Sequence, residues 1–407
     1  METTIHQPSG VELSLRTVLL AFAAVWGVGF ASQALSPFLV GSLIQDLRFN
    51  ASLAGLIQSV ELFAAALTSL VLAPRIAHLS KRRLAIAGAL IACCMQGASS
   101  ISASGNALLV LRALSGIGAG LCLASGNSLI ASAEEPERLY ARMFMIAAIV
   151  YCCIFVAMGH IGAAFGARGT YGFEAIWTAS MIPILWRMPA APPTSPESDR
   201  GWAGVPLVST ILMSAAILLF EICDVGVWAF SERVGDTVGI VMSDSGWALA
   251  GSSAIAIVTA FIASKVGFRY GRAWPTVISL TAFGATCFSI LTAPNVRLFL
   301  AAVLGYQGVY AFALPFLYGT AGLIDARGRT IVAASGAALI GASIGPYVVG
   351  RLSERAGFAS VGVLAFASLG VVAGLMLLTQ RQIPRARCEL VGLVPENDRP
   401  YTANGAE

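Results

Sequence analysis

Runs of about twenty mostly apolar residues recur along nearly the whole of this chain, and that is the length an α-helix needs to cross the hydrocarbon core of a bilayer. Twelve such segments can be marked off. The first six are Thr17 to Leu43, Ala51 to Ala73, Leu84 to Ile101, Ala107 to Ser132, Ala141 to Phe165 and Tyr171 to Met188. The second six are Gly204 to Phe230, Ser245 to Phe268, Ala273 to Thr292, Val296 to Ile324, Thr330 to Leu352 and Phe358 to Thr379. Inside lipid every backbone N–H and C=O must be satisfied within the segment, so runs of this length are expected as helices. Composition agrees: 57% of the 407 residues are apolar and 11% are charged, against roughly 25% charged in soluble domains. A single soluble core stops growing near ~250–300 residues and could not hide that much apolar surface. The expected fold is all-α, a polytopic membrane protein with twelve transmembrane helices.

The stretch from Pro189 to Gly201, PAAPPTSPESDRG, is too polar and proline-rich to span and reads as an exposed linker. It divides the helices six and six. The expected organisation is a tail over 1–16, a six-helix bundle over 17–188, a linker over 189–203, a second bundle over 204–379 and a tail over 380–407. Lys and Arg report orientation, because they gather on the cytoplasmic side of membrane proteins. With the amino terminus inside, eighteen of the 25 fall on inner connections and tails. Six fall outside (Arg48, Arg168, Arg233, Arg297, Arg351, Arg355), and Arg112 lies within a segment. The bias puts both termini in the cytoplasm and favours an even number of spans. The plasma membrane, or the inner membrane in a bacterium, is the expected location.

Several function classes fall away. A net charge of +4 is too small to suggest nucleic acid. Seven of the eight cysteines lie in apolar runs, where they behave as small hydrophobes, and the three histidines are far apart, so no metal or other cofactor is expected. The first apolar run is too long for a signal-peptide core. No G-x-x-x-x-G-K-[ST] loop is present, which argues against ATP hydrolysis by this chain. An enzyme is not expected.

The two halves are weakly similar at an offset of 189 residues: Asn106 with Asn295, Gly116 with Gly305, Arg138 with Arg327 and Arg83 with Arg272. Parallel six-helix repeats imply two pseudo-symmetric bundles related by an axis along the membrane normal. The fourth segment reads Leu108-Leu109-Val110-Leu111-Arg112-Ala113-Leu114-Ser115-Gly116-Ile117-Gly118-Ala119-Gly120. Over essentially Thr17 to Thr379 the chain resembles the major facilitator superfamily, and this arginine with its glycine series is the most specific match. The family usually has Gln where Ser115 stands. Its basic loop after the second helix, G-x-L-x-D-R-x-G-R-R, corresponds here to a stretch ending Lys81-Arg82-Arg83 that lacks the acid and both glycines. The equivalent loop after the eighth segment, with Arg269 and Arg272, again lacks the acid. In the family that aspartate helps to latch the outward-open state. Asp325-Ala326-Arg327-Gly328-Arg329 resembles the family's acidic–basic loop after the tenth helix. Gly341 to Gly350 resembles the G-x-x-x-G-P-x-x-G-G motif, in the eleventh segment rather than the fifth. The resemblance implies alternating-access transport of a small solute, with these loops controlling conformation.

Charges inside spans carry the most functional information, since each costs roughly 2.5–3.5 kcal/mol at a helix centre without a partner or a wet path. Four qualify: Glu61, Arg112, Glu221 and Asp224. By rise per residue Glu61, Arg112 and Gln33 fall at similar depths, which suggests a Glu61–Arg112 pair with Gln33 as polar neighbour. Such a pair is either an internal strut or a charge relay released by protonation. Glu221 and Asp224 are three apart on one helix face. Two carboxylates so close are not expected to be ionised together in a low-dielectric site, so they are candidates for proton or cation binding. If the seventh helix started later they would be ordinary solvated acids. Tyr306, Gln307 and Tyr310 in the tenth segment offer a stacking surface for an aromatic or amphipathic solute, or else fill helix contacts. Gly116/Gly120, Gly159/Ala163 and Gly341/Gly345 are read as close-approach sites between helices.

The sequence therefore points to a secondary transporter, a monomer in a lipid bilayer whose partners are a small solute and protons. Proton-coupled export of an amphipathic or aromatic compound leads. Uptake of a small organic acid or nutrient is the first alternative. A membrane receptor or assembly factor that transports nothing is the second.

Overall fold

The computed structural model describes residues 14–133, 135–189, 206–266, 273–325 and 329–382. Its regular elements are helices: α1 (Leu15–Gln45), α2 (Ala51–Leu72), α3 (Lys81–Ser100), α4 (Gly105–Ala131) and α5 (Pro136–Leu185), then α6 (Leu207–Thr237), α7 (Met242–Val266), α8 (Ala273–Thr292), α9 (Val296–Ile324) and α10 (Arg329–Arg381). All ten are long and apolar enough to cross a membrane. Two are double-length, and each consists of two helices joined at a kink, α5 at Gly166 (φ 55°) and α10 at Gly357 (φ 77°). Only glycine enters that region without a steric penalty. The fifth and sixth apolar segments thus form one run, as do the eleventh and twelfth.

Helix starts follow short polar residues that accept from the exposed N–H groups of the first turn. Ser14 caps Thr17, Asn50 caps Leu53, Ser80 caps Arg83, Ser104 caps Ala107 and Asn295 caps Leu298, at 2.8–3.5 Å. Asp46, just past the end of α1, accepts from the Ala167 amide at 2.5 Å and so caps the second arm of α5 immediately after the kink. Inside α1, residues Ala23–Gly29 form a π-helical stretch before the α-helix resumes at Ala31.

Two boundaries differ from expectation. The seventh segment does not stop at Phe230 but continues to Thr237, so Arg233 lies on α6, paired with Asp236 at 2.5 Å, rather than in an outer connection. Lys81, Arg82 and Arg83 are not loop residues but open α3. The linker, most of both tails, and Arg269, Arg272 and Arg327 lie outside the described residues.

The helices of 15–185 pack on one another, chiefly α2 and α3 on α4 and α3 on α5. Those of 207–381 pack as α6 and α8 on α10 and α7 and α8 on α9. Three pairings cross between the sets: α1 with α6, α2 with α10, and α5 with α7. Close approach uses small residues. A side chain at Gly116 would meet the Glu61 carbonyl, one at Gly120 the Ala65 carbonyl, one at Gly159 would meet Met242 and Gly246, and one at Gly345 the Ile222 carbonyl. The repeat-matched Gly305 has open space beside it instead, so the similarity at that position does not extend to packing.

The crossing hydrogen bonds are one-ended. Every hydrogen bond between described residues of the two sets falls in the half of the molecule nearer the α1–α2 turn. Gln45 Nε2 donates to Glu232 Oε1 (3.1 Å) and Trp228 Nε1 to the Ala34 carbonyl (3.0 Å). The Tyr347 amide, one residue past Pro346, donates to Ser59 Oγ (3.0 Å), and the Ser52 amide to Glu354 Oε1 (3.0 Å). Cys152 Sγ donates to the Ala250 carbonyl at 3.4 Å. At the opposite end the bonds stay within one set: Arg82 to the Met188 carbonyl, Arg16 to the Arg187 carbonyl, Ser209 to Gln382.

Candidate functional site

Arg112 is fully buried, and two carboxylates from different helices meet it. Glu61 of α2 is hydrogen-bonded and ion-paired to Nη2. Glu174 of α5 takes Nη1 at 3.0 Å and Nη2 at 3.2 Å in a forked pair. The Tyr171 ring, one turn before Glu174, lies 4.8 Å from the guanidinium carbon. The polar neighbour is Ser32, not Gln33. Ser32 Oγ accepts from Arg112 at 2.9 Å and donates to Glu61, while Gln58 Nε2 holds the Ser32 carbonyl and hydroxyl at 3.1 Å. One residue along a helix turns a side chain by about 100°, which is enough to aim Ser32 into the cluster and Gln33 elsewhere. Glu61 Oε1 has no partner among the described residues.

The local sequence explains the assembly. Arg112 and Gly116 are four apart and share a face of α4. Gly116 lets α4 touch the Glu61 backbone, and that contact brings the Glu61 carboxylate within reach of Arg112. Glu174 carries no sequence signal beyond being an acid in an apolar run. Its depth becomes clear only once α5 is seen to restart at Gly166.

Gln33 instead lines a cavity of about 100 Å³ between the two sets of helices, whose wall includes Ala34 and Trp228 of a crossing hydrogen bond. Trp26, Phe144, Tyr151 and Phe155 wall it on one side, and Asp224, Trp228, Gln307 and Tyr310 on the other. The π-helical stretch of α1 places Trp26 here. The Trp26 carbonyl accepts from Tyr151 Oη (2.7 Å), but its indole N–H has no partner among the described residues.

Glu221 and Asp224 are both buried, at 5% and 7% exposure, because α6 begins at Leu207 and both lie well inside it. They are not solvated acids at a helix start. Asp224 Oδ1 accepts from Tyr306 Oη at 2.8 Å. That bond, and a Trp228 ring stacked on Tyr306 at 5.6 Å, bury Tyr306 completely, so it supports the wall from behind while Gln307 and Tyr310 face the cavity. Tyr310 stacks on Phe220 at 5.7 Å.

The basic residues divide. Lys81 is buried and donates to the Ser128 carbonyl and Ser132 Oγ at 3.0 and 2.9 Å, which ties α3 to the end of α4. Arg83 is exposed. Asp325 and Arg329 form a buried ion pair at 3.0 Å across the α9–α10 connection. Glu232, missed because it lies two residues beyond the expected end of the seventh segment, is buried at the α1–α6 crossing with Gln45.

Comparison with known proteins gives the same picture. No curated protein sequence matches. Among solved structures, the nucleoside transporter NupG superposes with a TM-score of 0.69 at 13% identity, covering 90% of this chain and 99% of that one. A bacterial homologue of the human lysosomal transporter Spinster, in an inward-facing and unoccupied conformation, gives 0.70 at 16%, covering 91% and 98%. The D-xylose–proton symporter gives 0.67 at 14%, covering 91% and 96%. At such identities these likenesses show the fold. The Major Facilitator Superfamily family model matches residues 21–231, about half the chain, and takes in the Arg112 cluster and most of α6. This multi-pass membrane protein, a transporter rather than an enzyme, belongs to the major facilitator superfamily.

Proposed function

We propose that the chain is a secondary active transporter that exports an amphipathic or aromatic compound in exchange for protons, with two six-helix bundles rocking about the cavity. Counting each arm of α5 and α10 as a crossing gives twelve spans. The charge bias then puts both termini in the cytoplasm of a plasma-membrane monomer and the α1–α2 turn outside. The observation that carries this reading is the one-ended distribution of the crossing hydrogen bonds. Among the described residues, hydrogen bonds join the bundles from the level of the cavity to the α1–α2 turn and stay within each bundle at the opposite end, as expected of one end-state of an alternating-access cycle. On that orientation the state faces inward.

Proton coupling is supported by charge balance. Two carboxylates and one guanidinium share a fully buried site, and an excess negative charge there is costly unless a proton or a further partner neutralises it. Glu61 Oε1, which has no hydrogen-bond partner among the described residues, is left open to such a partner. The uptake alternative for an organic acid gains no support, because the cavity wall contains no Lys, Arg or His among the described residues.

Purified protein in liposomes with an imposed proton gradient, offered labelled aromatic, cationic and carboxylate solutes, tests this. Movement of a solute against the proton flow is expected. Gradient-driven accumulation in the direction of proton entry would replace export with uptake, and no flux of any solute would end the transport reading.

A further inference from the structure

The cavity's polar groups form an uneven set. Asp224 is the one carboxylate facing it, and the wall carries no cationic side chain among the described residues. Tyr306 occupies Oδ1 of Asp224, while Oδ2 accepts no hydrogen bond from the described residues. One turn away Glu221 is buried at 5% exposure, also without a hydrogen bond from the described residues, and adds a second carboxyl group behind the same wall. Arg112, the one basic residue deep in the spans, is fully buried and committed to Glu61 and Glu174, so its charge is not offered to a solute. The other polar groups lining the cavity without a hydrogen-bond partner among the described residues are the side-chain amides of Gln33 and Gln307, the hydroxyls of Ser253 and Tyr310 and the indole N–H of Trp26. The remaining surface is largely aromatic faces.

Resting on the transport reading above, we propose that the solute is an organic cation, a protonated amine on an aromatic or flat apolar body, whose ammonium binds the free oxygen of Asp224. A carboxylate placed there would meet like charge at short range with no counter-ion, after losing its water. An ammonium would gain a charge-assisted hydrogen bond to Asp224 and attraction to the ring faces of Trp26, Trp228 and Tyr310. Gln33 and Gln307 accept its remaining protons or bond a second polar group on the solute. The ring of the solute fits between Trp26 and Tyr310, from opposite walls.

Three probes sharing one ring separate charge from shape: 2-naphthylmethylamine, 2-naphthylmethanol and 2-naphthoate, titrated into the purified full chain by calorimetry at neutral pH. The amine is expected to bind about tenfold or more tighter than the alcohol, and the carboxylate most weakly. Asp224→Asn should bring the amine down to the alcohol's affinity and leave the alcohol within about twofold. Gln307→Lys should reverse the order of amine and carboxylate, a gain that misfolding could not produce. Equal affinities, a preference for the carboxylate, no saturable binding by any probe, or an unchanged order in both variants would each overturn the proposal. The same probes in liposomes keep the two readings apart. Binding in the expected order without flux would remove the transport reading and leave the cation site. Flux that favours the carboxylate would do the reverse.

Discussion

Arg112 is held by partners from two helices, and the energetics of buried ion pairs predict what its removal does. Arg112→Met leaves Glu61 and Glu174 facing each other without a counter-charge, and should cost about 3–5 kcal/mol of stability. Adding Glu61→Gln and Glu174→Gln to that variant should recover most of the loss, because the uncompensated charges go with the carboxylates. Thermal unfolding in detergent measures both, and a triple variant no more stable than the single one would mean that the cluster acts by packing rather than by charge. Arg112→Lys keeps the charge but not the planar fork that spans Nη1 and Nη2 to Glu174. It should fold and lose about tenfold or more in proton-driven flux, a free-energy change on the order of 1.4 kcal/mol. Wild-type flux with an unchanged proton dependence would reduce the cluster to a strut.

Between helices, spacing depends on glycines with backbone close opposite them. Gly116 is such a place, since the Glu61 carbonyl fills the space its side chain would need. Gly116→Val should force α4 from α2 and cost about 1–3 kcal/mol, and it should also impair the Glu61–Arg112 contact that depends on the same approach. Gly374→Ala, where nothing lies within 4 Å, should be neutral or stabilising by up to about 1 kcal/mol. The comparison is read from the two unfolding temperatures, and equal losses would show that the close approach carries no special cost. The same logic explains why segment boundaries were harder to read than segment existence. Hydropathy stops at Phe230, but α6 continues through Ser231 and Glu232 because the α1–α6 crossing supplies Gln45 as a partner.

For the molecule as a whole, the seal near the α1–α2 turn should be an obligatory contact of one state only. Ser52→Cys with Glu354→Cys, joined by a short bismaleimide, should fix that end shut and abolish flux, while the unlinked double variant retains it. Undiminished flux in the linked protein would mean that the two sets of helices do not separate there during the cycle. Orientation is tested separately: epitope tags in the 189–201 linker and at both termini should all be reached from the cytoplasmic side. A linker reached from the opposite side would invert the assignment of inward and outward.

The existence of the apolar helices and their all-α class were legible from the chain alone, because a bilayer imposes length and apolarity on every span and leaves few alternatives. A pairing of Glu61 with Arg112 was also legible, since an acid and a base at matching depth in neighbouring spans have few other partners. Only the tertiary structure decided that Glu174 completes the cluster, that Ser32 rather than Gln33 joins it, and that Tyr306 supports Asp224 while Tyr310 faces the cavity. Those outcomes turn on a single residue of helical rotation, on a restart at Gly166, and on which helix lies across the gap. A one-dimensional pattern of hydropathy and charge carries none of these, because they arise from how separate helices meet.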